Sequence, residues 1–228
     1  MPTSKVESAV VLVPGYKLPL SCYSSWLTSF QQSGFKCYCY QADTTSLTVS
    51  EEAAAVAEFS KCVSPRGVAL VGHSRGGAVS AKGALLLGKA CKGVLLVDPV
   101  DDLELSALSA LASSPALYPP TLTVSCPYGG VLSKYYKTSL SSSCAPSGRN
   151  AHAFQQVLQA KAEGVNHSFS ILEGVGHLQL LDQGALGDLF FSGLCAANPD
   201  IEVAASKKRF LVTAVSFLRR NLVEEGRR

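Results

Sequence analysis

The segment Gly72-His73-Ser74-Arg75-Gly76-Gly77 carries the strongest chemical signal in the chain. It lies directly after the apolar run Val68-Ala69-Leu70-Val71 and directly before an Ala- and Leu-rich stretch of helical character. A Gly-x-Ser-x-Gly sequence between a strand and a helix turns the chain so tightly that the serine stands at the apex in a strained conformation. A side chain at Gly72 or Gly76 would collide with its neighbours. Ser74 is then exposed at the C-terminal edge of a sheet, where the N-terminal amides of the following helix favour developing negative charge. His73, inside the turn, is expected to point its ring away from Ser74.

A serine hydroxyl is a weak nucleophile without a base. The chain has four histidines: His73, His152, His167 and His177. His177 ends the turn Glu173-Gly174-Val175-Gly176-His177 after the apolar run Ser168 to Leu172, and is read as the base; His167, just before that run, is the rival. An acid must hold the far nitrogen of the imidazole, and it must sit at the C-terminal end of a strand. Asp98 follows Gly93-Val94-Leu95-Leu96-Val97 at once and is read as that acid. Asp101 and Asp102 compete for the role, their other reading being caps on a helix ahead of Leu103. After the next strand no Asp or Glu occurs until Glu163, which strengthens Asp98. Two backbone amides must receive a developing oxyanion. One is expected from Arg75, the other from Tyr16, with Lys17 as rival, in the loop after Ala9-Val10-Val11-Leu12-Val13.

These residues require elements to hold them. Short apolar runs at 9–13, 35–41, 67–72, 93–97, 121–125 and 168–172 read as strands. Helical patterns fill 21–33, 50–62, 76–90, 103–112, 150–162 and 206–223, with a short helix at 178–189. Continuously apolar strands separated by helices predict a parallel sheet with helices on both faces. One long loop, 128–149, contains Tyr135 and Tyr136; these read as ordinary loop residues, with the lining of a ligand entrance as the alternative.

At 228 residues the chain suits a single domain spanning 1–228, and it shows no internal repeat. Hydrophobic residues make up 47% and charged residues 16%, with a formal net charge of +3, which excludes a disordered chain and gives nucleic-acid binding no support. Lys207-Lys208-Arg209 and Arg219-Arg220 read as a solvated helix face, with an anion or membrane-surface patch as the alternative. The eight cysteines have neither zinc nor disulfide-scaffold spacing. They read as buried, reduced thiols; a single disulfide involving Cys144 or Cys195 is the alternative. No targeting segment is legible before the first strand.

Several of these motifs, in order, resemble the chlorophyllases of plants and algae. Gly72 to Gly77 resembles their GHSRGG, and Asp98-Pro99-Val100-Asp101 their DPVDG, with Asp102 in place of the glycine. Cys144 to Asn150, followed by Phe154, resembles CAPDGVNH…F. Gly176 to Asp182 resembles GHMDMLD, with Val175 where an aromatic is usual, and 212–222 is similar to VAFLKAYL. The resemblance runs from about Ala9 to the last helix. It implies an α/β-hydrolase fold, with the family's early N-terminal strands missing from this chain. It assigns the acid to Asp98 and the base to His177. It implies hydrolysis of the phytyl ester of chlorophyll to chlorophyllide and phytol, without metal or cofactor, in a plastid; a cytoplasmic location is the alternative. A general carboxylesterase or lipase acting on other apolar esters is the second reading. A noncatalytic pigment- or lipid-binding protein of the same fold is the third. The partner expected is a small apolar ester, with peripheral membrane contact in reach.

Overall fold

The apolar runs become strands and the Ala- and Leu-patterned stretches become helices. The computed structural model describes residues 9–42, 47–114, 118–128, 144–146, 148–161, 165–182, 195 and 197–222. In chain order these give β1 (Ala9–Val13), α1 (Ser24–Gln32), β2 (Lys36–Cys39), α2 (Val49–Val63), β3 (Val68–His73) and α3 (Arg75–Leu87). There follow β4 (Cys91–Val97), α4 (Ser106–Ser113), β5 (Thr121–Ser125), α5 (Ala151–Gln159), β6 (His167–Ile171) and α6 (Val203–Leu222). Tyr135 and Tyr136 lie outside the described residues, as does most of the short helix expected at 178–189; its described part is turns.

The strands form one parallel sheet in the order β2-β1-β3-β4-β5-β6. No strand precedes β1 among the described residues. Alternation sends the two sides of each strand into different cores. Val10, Leu12, Ala69, Val71, Leu95 and Val97 pack with Trp26 and Phe30 of α1 and with Phe210, Ala214 and Leu218 of α6. Val11, Leu70, Val94 and Leu96 pack with α2, α3, α4 and α5, through residues such as Val56, Val79, Leu111 and Phe154. Burying each of these large side chains contributes about 1.5–3 kcal/mol, which forces the register that puts both sets inside.

Helix starts follow local hydrogen bonding. Thr48 and Glu51 cap α2 reciprocally: the Glu51 amide donates to Thr48 Oγ1 at 3.2 Å and the Thr48 amide to Glu51 Oε2 at 2.8 Å. Asn150 caps α5 by accepting from the His152 amide at 3.2 Å. α4 begins at Ser106 rather than Leu103 because the carboxylates of Asp101 and Asp102 cap it there, accepting from the amides of Ser106, Ala107 and Leu108.

The thiol reading needs a correction. Cys144 and Cys195, 51 positions apart in sequence, form a disulfide with Cα atoms 5.3 Å apart. Folding onto the α1–α6 side of the sheet brings them together, and no local spacing announces such a pair. Outside the disulfide, Cys22, Cys91 and Cys126 are buried thiols, Cys37 and Cys39 are half-buried, and Cys62 is exposed. Among the described residues no helix is long and apolar enough to cross a membrane.

The strand order sets the position of the site. From β1 the chain goes outward to β2, then crosses back to β3 on the other side of β1. The crevice beyond the C-terminal ends of β1 and β3 is the switch point where open α/β sheets bind ligands. The loop after β1 and the turn after β3 both open there.

Candidate active site

β3 delivers Ser74 to this crevice. Ser74 has φ +56° and ψ −128°, a conformation L-residues rarely adopt. Such strain costs about 1–3 kcal/mol and persists only where surroundings enforce it. Here they do. The Ser74 amide donates to the Val97 carbonyl at 3.0 Å, and its carbonyl accepts from Gly77 at 2.8 Å and from Val100 at 2.9 Å. The two glycines are sterically required: a Cβ on Gly72 would lie 2.2 Å from the Gly76 carbonyl oxygen, and one on Gly76 would lie 2.2 Å from that of Val13. Ser74 remains partly exposed at the start of α3, whose first amides have no acceptor within the helix.

β4 delivers Asp98, buried at 2% exposure. One carboxylate oxygen accepts from the Cys126 amide at 3.1 Å. The other lies 2.6 Å from Nδ1 of His177, which is itself 3% exposed. A carboxylate only accepts, so Nδ1 carries the hydrogen and Nε2 keeps its lone pair. Water is shut out of this bond, which strengthens it.

His177 owes its place to a braced turn. Beyond β6, Gly174 takes φ +74°, which glycine allows without strain. The Gly176 amide donates to Gln179 Oε1 at 2.8 Å, the Asn198 amide donates to the same oxygen at 2.9 Å, and Asn198 Nδ2 donates to the Gly174 carbonyl at 3.0 Å. Tyr128, just past β5, bridges to Gly176. Gln179 and Asn198 are functional supports that sequence reasoning missed. The one available signal was a glutamine two residues past the histidine in an otherwise apolar stretch.

The rivals separate cleanly. Asp101 and Asp102 spend their oxygens on the start of α4. Burial raises the Asp101 carboxyl above its usual range despite those bonds. His167 pairs with Thr121 at the N-terminal end of β5, the opposite edge of the sheet from Ser74. His152 lies in the first turn of α5 and is exposed.

The loop after β1 passes close to the elbow. A Cβ on Gly15 would come within 3.2 Å of the Ser74 Cβ. The Gly15 carbonyl accepts from Leu18 at 3.1 Å, closing a turn in which Tyr16 is partly buried and Lys17 is exposed with φ +55°. Arg75 follows Ser74 as the first residue of α3, and its side chain ties the elbow to α2. Its guanidinium pairs with the buried Glu52 carboxylate and donates to the Leu47 carbonyl at 2.8 Å. From sequence, Glu52 shows only as a first-turn acid.

His73 is turned away from the crevice and fully buried. Its ring lies 4.8 Å from that of His177, 2.8 Å from the Tyr23 hydroxyl at Nδ1, and 3.0 Å from the His177 carbonyl at Nε2. Burial first, and the neighbouring His177 second, hold its pKa well below the usual 6.5, so it is neutral.

A partly exposed, strained serine, a buried acid–imidazole pair and a glycine-cleared amide loop at one sheet edge suit acyl transfer. Structures of the same overall shape include one of LipS and LipT, metagenome-derived lipolytic enzymes (TM-score 0.61, 13% identity, 95% of each chain covered). Another is described as a hydrolase of the α/β superfamily from Xanthomonas campestris pv. campestris (TM-score 0.54, 14% identity, 91% of this chain and 98% of that one). A third is a YdeN-like hydrolase from Pectobacterium atrosepticum SCRI1043 (TM-score 0.54, 17% identity, 95% of this chain and 93% of that one). At these identities the likeness is one of fold. No curated protein sequence matches the chain. The sequence model of the alpha/beta hydrolase family matches residues 10–149, more than half of the 228 residues, and the chain belongs to that family.

Proposed function

We propose that this protein is a serine carboxylesterase and that its ester is the phytyl ester of chlorophyll. The observation that carries the esterase reading is the buried 2.6 Å bond between Asp98 and His177, beside a serine held at positive φ. Ser74 Oγ attacks the ester carbonyl while His177 Nε2 takes its proton. Asp98 fixes the tautomer and balances the imidazolium charge. The amides of Tyr16 and Arg75 stabilise the oxyanion. His177 then protonates the departing alkoxide oxygen, which leaves as phytol. Water attacks the acyl-enzyme with the same base, and the free acid leaves as chlorophyllide.

The substrate part of the proposal rests on the ordered motifs at Gly72–Gly77, Asp98–Asp101, Cys144–Asn150 and Gly176–Asp182, and a plastid location follows from the same resemblance. Lys208, Arg209, Arg219 and Arg220 on α6, a helix without acidic residues, support transient contact with an anionic membrane surface carrying such an ester. A second reading, hydrolysis of other apolar esters, is favoured by the fold shared with lipolytic enzymes.

The test is hydrolysis of chlorophyll a and of a short p-nitrophenyl ester by wild type and Ser74→Ala. Release of chlorophyllide by wild type alone, with a loss on the order of 10⁴-fold or more in the variant, supports the full proposal. Turnover of the short ester only retains the triad and removes chlorophyll as substrate. A folded wild type inert toward both supports the noncatalytic binding protein.

A further inference from the structure

Behind Ser74 four buried groups form a hydrogen-bonded chain. The Gly15 amide lies 2.9 Å from the Tyr23 hydroxyl, that hydroxyl 2.8 Å from His73 Nδ1, and His73 Nε2 3.0 Å from the His177 carbonyl oxygen. The direction of every bond follows from one end. A carbonyl oxygen only accepts, so His73 Nε2 must donate. His73 is neutral, so its Nδ1 has a lone pair and must accept. Tyr23 therefore gives its O–H to Nδ1 and receives the Gly15 N–H on a lone pair. Every hydrogen in the chain is used.

The two ends of this chain are the two halves of the chemistry. Gly15 precedes Tyr16, the proposed oxyanion donor; His177 is the proposed base. Gly15 itself is removed as an oxyanion donor because its amide points back to Tyr23. We infer that Tyr23 and His73 are positioning residues, which lock the oxyanion loop and the base loop into one register about Ser74 through a one-way relay of hydrogen bonds. The inference rests on the esterase reading.

The packing around the relay makes it rigid. Tyr23 and His73 are wholly buried. Trp26 meets Tyr23 edge-on at 5.2 Å and His73 at 6.1 Å, and its indole donates to the Leu180 carbonyl in the base loop at 2.9 Å. A Cβ on Gly15 would stand 3.2 Å from His73 Nδ1, so a larger residue there would press on the ring. The titratable groups facing His73 are Tyr23 and His177, with Asp98 behind the latter. When His177 gains a proton during turnover, a second cation 4.8 Å away would oppose it. The Tyr23 hydroxyl occupies the one nitrogen where His73 could take that proton. Oxyanion and imidazolium form in the same step, so their donors must hold register together; a misplacement of about 1 Å can cost about 10²-fold.

The experiment has two parts. In ring-nitrogen NMR of wild-type protein, His73 is expected as the neutral Nε2–H tautomer, without titration from about pH 5 to 9. An Nδ1–H tautomer, or a proton gained in that range, overturns the relay, whether or not any variant folds. In Tyr23→Phe, kcat on a short p-nitrophenyl ester is expected to fall by about 10- to 100-fold with KM within about twofold. The His73 Nδ1 resonance should then shift, its hydrogen-bond donor gone. An unchanged kcat in a folded Tyr23→Phe, or an unmoved His73 Nδ1 resonance, overturns the positioning role. Ser74→Ala assayed beside it keeps the two readings apart. An active Ser74→Ala sinks the esterase site and with it the role at that site, while the NMR result still reports the relay.

Discussion

At the scale of single residues, the acid is the most testable assignment. Asp98 is nearly isosteric with asparagine, so Asp98→Asn leaves volume and fold in place while removing the charge. An asparagine amide can hold the imidazole through its oxygen or donate to it through its nitrogen. The second geometry puts the wrong tautomer toward Ser74. Expected is a kcat on the short ester lower by about 10³- to 10⁴-fold, with unfolding temperature within a few degrees of wild type. Equivalent loss in Asp101→Asn and none in Asp98→Asn would move the acid. The structure argues against that, because Asp101 already accepts from the amides of Asp102, Ala107 and Leu108. The Ser74 turn and the two residues that meet as Asp98 and His177 could be named from the sequence because each is announced by what precedes it: a glycine-framed serine after an apolar run, a histidine after a glycine turn, an aspartate ending a strand. Tyr23, Gln179 and Asn198 were not legible. Their roles depend on partners far along the chain, such as Asn198 to Gly174 at 3.0 Å, and nothing in their neighbours' types reveals the contact.

At the scale of elements, the strands agree with the apolar runs to within about one or two residues at most ends; for the inner strands β1, β3, β4 and β5, burial on both faces leaves no other use for such runs. Helix starts agree less well where a cap decides them, as Asp101 and Asp102 do for α4. The disulfide is where the alternative prevailed over the reduced-thiol reading: Cys144 and Cys195 were its candidates, but nothing in their spacing pairs them. Cys144 follows the long loop after β5, and Cys195 precedes α6; their bond closes a loop whose ends are 51 residues apart. Closing such a loop in the unfolded chain is worth about 2–4 kcal/mol by its entropy. The paired Cys144→Ser, Cys195→Ser variant is therefore expected to lose about that much in urea unfolding, and a dithiol reductant should lower wild type to the same level. A wild type indifferent to reductant would mean that the bond is not formed in solution. The base loop is also tied by Gln179 to Asn198, so the variant is expected to retain short-ester activity at temperatures where it is folded.

At the scale of the whole molecule, one sheet carries both cores and the site, so a proton bound at the site is felt by global stability. His73 is the group where this shows. Its pKa in the folded state lies well below the ordinary 6.5, because burial and then His177 oppose its charge. Above about pH 6.5 neither the folded nor the unfolded chain protonates it, and it contributes nothing to the pH dependence. Below that value the unfolded chain binds a proton that the folded chain refuses, so stability falls as pH falls. The slope approaches about 1.4 kcal/mol per pH unit for one such group. His167, whose pKa burial also lowers, adds a slope of the same sign. Urea unfolding between pH 7 and 5.5 should thus show stability declining on acidification, and His73→Gln should remove one proton from that dependence while His167→Gln removes a smaller part. Parallel curves for wild type and His73→Gln would mean that His73 accepts its proton in the folded state, which the wholly buried ring beside Tyr23 and His177 does not accommodate.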